Sequence, residues 1–137
     1  MSLFRIFDVA GAGMNAQQVR LNVTASNVAN AESVSGSADS AYRARQPVFR
    51  PFAEWMTGQN DMPTVRVDGI TESRAPIASR YSPDHPLANE EGYIFTSNVN
   101  AIEEMVNMLS ASRSYQNNIE VMNTSKELLV RTLTMGQ

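Results

Sequence analysis

The single histidine of the chain, His85, stands in Ser82-Pro83-Asp84-His85-Pro86, where a carboxylate beside an imidazole suggests a general base and its orienter. Adjacent side chains rarely face one another, however, and no second acid, nucleophile or ligand cluster stands at a spacing that would converge on the pair. His85 therefore reads as a turn histidine. There is no cysteine, which excludes disulfides, thiolate catalysis and Cys-based zinc sites. Asn22-Val23-Thr24 and Asn123-Thr124-Ser125 match the glycan acceptor pattern, but both fall in helical segments and read as chance. No catalytic residue, metal or cofactor is assigned, and the chain does not read as an enzyme.

The remaining chemistry belongs to contacts. Glu103 and Glu104 fall in the first turn of a helix, where the positive end of the dipole favours carboxylates by about 0.3 to 1 kcal/mol. Arg20 and Arg113 are lone charges in otherwise neutral faces, which suits an intersubunit ion pair or carbonyl contact. Met105, Met108 and Met122 recur at helical spacing and read as packing rather than as an adaptable binding groove.

The elements that must position these residues are limited by size. At 137 residues the chain has room for one modest core. Only 18% of residues are charged, the net charge is -3, and eighteen Asn and Gln fill the deficit. No basic footprint for nucleic acid is present. No run is long and apolar enough to span a bilayer. The N-terminal run MSLFRIFDVAGAG is broken by Arg5 and Asp8, so a cleaved secretory signal is not expected.

Period and proline divide the chain into an N-terminal helix within 1–30, a middle region at 31–99 holding all six prolines, and a C-terminal helix within 100–137. In the middle, 31–41 reads as a small-residue loop and 42–49 as an extended piece that Pro47 confines to an edge. Val65, Val67 and Ile70 suggest a small hairpin around Asp68-Gly69, and 79–92 a loop leading into a short apolar run at 93–95. The first helix has a seam at Phe4, Phe7, Gly11, Met14, Gln18, Leu21, Ala25 and Val28. The second has one at Ala101, Met105, Met108, Ser112, Tyr115, Ile119, Met122, Lys126, Leu129 and Leu133, a seven-residue repeat. A 3.5-residue average favours supercoiling against another helix. The expected fold is mainly α: two long terminal helices paired as a coiled coil, with a small irregular β-containing middle.

One partner does not satisfy these helices. The first carries a second row, Val9, Ala12, Ala16, Val19 and Val23, well over 100° from its seam. Between Val9 and Ala31 the only charge is Arg20, and between Met105 and Ile119 the only one is Arg113; Asn, Gln, Ser and Thr fill the other positions. Such faces hydrogen-bond across protein contacts without burying charge. Burying eight seam side chains gains about 10 to 25 kcal/mol, whereas ordering the segment costs on the order of 1 to 2 kcal/mol per residue. The Gly11-Ala12-Gly13 step points to a close backbone approach or a bend. A free subunit loose at both ends, ordered fully by its neighbours, is the expectation.

The stretch LNVTASNVANAES at 21–33 resembles the N-terminal signature of the flagellar axial family, the rod and hook subunits. YRARQPVF at 42–49, YSPDHPLANEEGYIF at 81–95 and NVNAIEEMVNMLSASRSYQNNIEVMNTSKELLVRTLTMGQ at 98–137 are similar to the proximal-rod members of that family. Ser97 departs from the Pro expected before NVN. The resemblance implies a structural subunit that stacks helically, with other rod subunits and on the export-apparatus and MS-ring base, into a hollow drive shaft crossing the periplasm. It also implies export through the flagellar type III apparatus without a cleaved signal. Leu21, Val23, Asn27, Val28 and Asn30, with Glu103, Glu104, Met105, Met108, Arg113, Tyr115 and Gln116, match the family's pattern. Together with Phe7, Met14, Val19, Arg20, Leu109, Ile119, Met122, Leu129 and Leu133 they form the expected subunit interface. The competing reading is a small soluble adaptor whose helices close into a coiled-coil dimer, saturating its own faces instead of continuing indefinitely.

Overall fold

A computed structural model describes residues 3–52 and 63–135; Phe4 of the expected seam lies outside the described side chains. Among the described residues two helices enclose five strands in sequence: α1 (Leu3–Ala29), β1 (Val34–Ser35), β2 (Arg45–Phe52), β3 (Thr64–Glu72), β4 (Ala78–Tyr81), β5 (Tyr93–Thr96) and α2 (Ala101–Met135). The strands form two antiparallel sheets, a three-stranded one ordered β1-β5-β4 and a two-stranded ribbon of β2 and β3. The mainly α, coiled-coil fold class is thus wrong: this is a mixed arrangement in which the ribbon packs on α1 alongside α2.

Helix α2 starts cleanly because Asn100 caps it: its Oδ1 accepts from the Ile102 and Glu103 amides at 3.1 and 3.4 Å, while its carbonyl accepts from Glu104 N at 3.0 Å. Helix α1 ends where Asn30 Nδ2 donates to the Ser26 carbonyl at 2.8 Å and Ser33 Oγ to the Asn30 carbonyl at 2.7 Å. The two helices run antiparallel, as three cross-helix meetings fix: Gly13 beside Asn118, Arg20 with Asn107, and Asn27 with Glu104.

The rows in contact are not those of the expected seams. On α1 the row through Gly13, Arg20 and Asn27 also holds Ala16 and Val23, buried at 2% and 7% exposure, whereas Gln18 and Ala25 of the expected seam are exposed. On α2 the inward row is Glu104, Met108, Ala111, Tyr115, Asn118, Met122, Ser125 and Leu129. It shares every second position with the expected heptad and replaces Met105, Ile119 and Lys126 by their small or polar predecessors. Small groups let the axes approach. A Cβ on Gly13 would lie 2.9 Å from Asn118 Nδ2, while Gly11 has nothing within 4 Å, so the close approach is at one glycine only and comes from a side chain.

In the ribbon, β3 runs unbroken through Asp68-Gly69, so the hairpin expected there is absent. Val48 pairs with Gly69 and Phe49 with Val67, leaving Asp68 as the extra residue of a bulge, held by Arg50 Nη2 at 2.8 Å from its Oδ2. Pro47 and Pro51 sit in β2, as a two-stranded ribbon allows because every strand is an edge. The expected loop at 79–92 begins as strand β4. It then turns at Gly92 (φ 80), where Asn89 Oδ1 accepts from the Glu91 and Tyr93 amides at 3.1 and 2.8 Å.

The core is thin. Among the described residues the buried hydrophobics are Ala10, Ala16, Val23, Ala41, Ala44, Ile94 and Ala111, five of the seven being alanine. The largest wholly buried side chains are Ile94 and an asparagine, Asn27.

Candidate assembly interface

Asn27 is the junction of three elements. Its Nδ2 donates to the Arg45 carbonyl at 2.7 Å and to Glu104 Oε2 at 3.0 Å, and its Oδ1 accepts from Tyr42 Oη at 3.0 Å and Arg45 N at 2.9 Å. Both donors and both acceptor positions of the amide are used, which is what permits its complete burial. Glu104, buried at 8% exposure, is thereby tied to α1 and to the start of β2. The Arg45 guanidinium lies 5.5 Å over the Tyr42 ring. Burial pushes the Tyr42 phenol above its ordinary value; the Arg45 charge opposes this, and the Glu104 and Glu72 carboxylates add to it.

A second asparagine clamps the ribbon's ends. Asn98 Oδ1 accepts from Ala44 N at 2.7 Å, and its Nδ2 donates to the Ala75 carbonyl at 3.0 Å. Ser97 N donates to the Ser33 carbonyl at 3.2 Å, a bond that proline at this position would forfeit.

The expected interface residues divide by exposure. Val23, Asn27 and Glu104 are buried within the single chain. Phe7, Met14, Val19, Arg20, Leu21, Val28, Asn30, Met108, Tyr115, Met122 and Leu129 are half-buried. Glu103, Met105, Leu109, Arg113, Gln116, Ile119 and Leu133 are exposed. Arg20 Nη2 donates to Asn107 Oδ1 at 3.3 Å within the chain, so one of the two lone arginines is at least partly occupied internally. His85 Nδ1 accepts from the Leu87 amide at 3.1 Å, the geometry of a turn residue.

Several exposed apolar residues of α2 escaped the sequence reading: Ile102, Val106, Val121, Leu128, Val130 and Met135. The first two, with Met105 and Leu109, follow the i, i+3, i+4, i+7 pattern, a signal eclipsed by the longer heptad running through Met105 and Met108. Phe49, Phe52 and Ile70 are likewise open on the ribbon. The chain exposes 9904 Å² in all, whereas a compact monomer of its mass exposes about 7100 Å².

Residues 7–37 match the family described as flagella basal body rod protein, and residues 90–135 match that described as flagellar basal body rod FlgEFG protein C-terminal. Over its whole length and the whole of theirs, the chain is 50% identical to the flagellar basal-body rod protein FlgC of Yersinia enterocolitica and 50% identical to that of Salmonella typhimurium (strain LT2). The FlgC of Buchnera aphidicola subsp. Baizongia pistaciae is 35% identical over the same span.

Proposed function

Because the chain belongs to the FlgC family of flagellar basal-body rod proteins, which makes it a structural subunit of the basal-body rod, we propose that it polymerises helically in the proximal rod, contacting copies of itself and other rod subunits above the export-apparatus and MS-ring base. On this reading the assembled shaft crosses the periplasm and transmits torque, and the subunit arrives by the flagellar type III route without losing a leader. The observation that carries the reading is an excess of surface, 9904 Å² on a chain of 15.1 kDa, together with the large apolar side chains that α2 leaves exposed, among them Ile102, Val106, Leu133 and Met135. Exposed apolar surface of that extent marks a protein contact site. With most of its core built from alanine, the free chain gains little from its own packing, and binding by neighbours supplies the missing stabilisation.

The interface set proposed here is the exposed and half-buried part of the expected one, since Val23, Asn27 and Glu104 are already enclosed. Ile119, 37% exposed, is the test position. In cells lacking their own copy of this subunit, the unaltered chain restores swimming and is recovered in isolated basal bodies. Ile119→Asp and Leu21→Asp abolish recovery, while the circular dichroism of the purified Ile119→Asp chain stays unchanged. Normal incorporation of both variants would contradict the reading.

A further inference from the structure

The first two turns of α2 turn Ile102, Met105, Val106 and Leu109 to solvent, 74%, 57%, 62% and 54% exposed. Their spacing gathers them on one face, on the side away from the Glu104, Met108 and Ala111 row that lies on α1. Together they present roughly 500 Å² of apolar surface, toward the upper end of the largest patch on a typical monomer. Among the described residues nothing in the chain covers them.

The opposite side of the helix pair has a complementary character. Asn15, Gln18, Asn22, Ala25 and Ala29 of α1 are all exposed, recur at steps of three and four, and carry no charge. This row points away from the Gly13, Arg20 and Asn27 row that meets α2. Short uncharged side chains leave shallow notches between them, and large apolar side chains seat in such notches without stripping water from a charge.

We infer that the Ile102, Met105, Val106 and Leu109 face of one subunit docks on the Asn15 to Ala29 face of α1 in a second copy of the same chain. The inference rests on the proposal that this subunit polymerises, and names the surfaces by which it does so. The two faces lie on opposite sides of one rigid helix pair, so a single chain cannot close the contact upon itself. Joining unlike faces from copy to copy cannot saturate in a dimer, and it continues as an open series wherever the rotation between copies does not close into a ring. Area argues in the same direction. A stable two-body interface buries about 800 Å² per partner, more than this patch offers, so two free subunits do not hold together and a subunit is retained only where further contacts add to this one. The two rows themselves carry no charge: Glu103 flanks the patch, Arg113 follows on its side one turn beyond Leu109, and Arg20 of α1 is turned toward Asn107.

The absence of cysteine makes a direct test possible. Val106→Cys is combined with Gln18→Cys, Asn22→Cys or Ala25→Cys, each on a separate copy in the same cell, and isolated basal bodies are treated with a short bis-maleimide. Covalent dimers should form for at least one pairing, and the chain carrying both Val106→Cys and its matching α1 cysteine should give a ladder beyond the dimer. Met105→Cys in place of Val106→Cys should reproduce the pattern. Crosslinking of Val106→Cys to itself alone would overturn the inference by showing a like-to-like contact. So would adducts solely with a chain of different mass, or no adduct in rods that contain both variants. Loss of the cysteine-free chain itself from basal bodies would instead sink the polymerisation proposal, so the two failures are distinguishable.

Discussion

Asn27 offers four hydrogen-bonding positions and all four are taken, by groups from the approach to β2 and from α2. Its replacement by Ala strands the Tyr42 hydroxyl, both polar groups of the Arg45 peptide and one oxygen of Glu104. The expected cost is about 2 to 4 kcal/mol, read as a fall in the urea midpoint of the isolated subunit, with Asn27→Asp worse still because a second carboxylate then faces Glu104. Tyr42 gives the knot a pH signature. The folded chain holds the phenol's proton more tightly than the unfolded chain, whose value is 10.0, so this contribution is complete below pH 10 and is lost as pH rises through the folded-state value. Thermal melts across pH 8 to 12 should show an alkaline decline that is shallower in Tyr42→Phe. Sequence made Asn27 visible as part of a signature, but not its role: an amide suits a subunit contact and a buried junction equally, and only the distances to Arg45, Tyr42 and Glu104 separate the two.

Both helices were legible as elements, because proline-free segments with sustained periods of three and four have few other ways to fold. Their rotation was not. Periodicity ranks faces by size and greasiness, whereas α1 turned its Gly13, Ala16 and Val23 row inward and α2 alternated large residues with Glu104, Ala111, Asn118 and Ser125, with hydrogen bonds crossing from Asn27 to Glu104 and from Arg20 to Asn107. The glycines test this. Gly11→Ala meets open space and gains helix propensity, so it should stabilise the isolated subunit by about 0.5 to 1 kcal/mol. Gly13→Ala must displace Asn118 and should forfeit most of that gain in the same denaturation experiment. The ribbon was missed for a different reason: an Asp-Gly step reads as a turn, and nothing local reveals that a partner strand already opposes it through a bulge. At Gly92 the structure leaves no room for a side chain. A Cβ there would sit 2.9 Å from Tyr81 Cε2 on a left-handed backbone, so Gly92→Ala should cost about 1 to 3 kcal/mol and disturb the edge-on Tyr81 and Tyr93 pair, centroids 5.2 Å apart, seen as a change in near-ultraviolet dichroism.

At the scale of the molecule, a surface exceeding that of a compact monomer by about 2800 Å² goes with a core of alanines. A subunit so built turns many of its large apolar side chains outward. Its stability should therefore depend on company: amide exchange along α2 should be fast in the diluted chain and slow by orders of magnitude in isolated rods. The antiparallel run of the helices has another outcome, for ancestry rather than for energy. The start of α1 and the finish of α2 share one pole, and in sequence every strand lies between the two helices. Lengthening or shortening what lies between them would leave the helix pair in register, so descendants of such a plan are free to grow new outer parts of any size upon an unaltered stem.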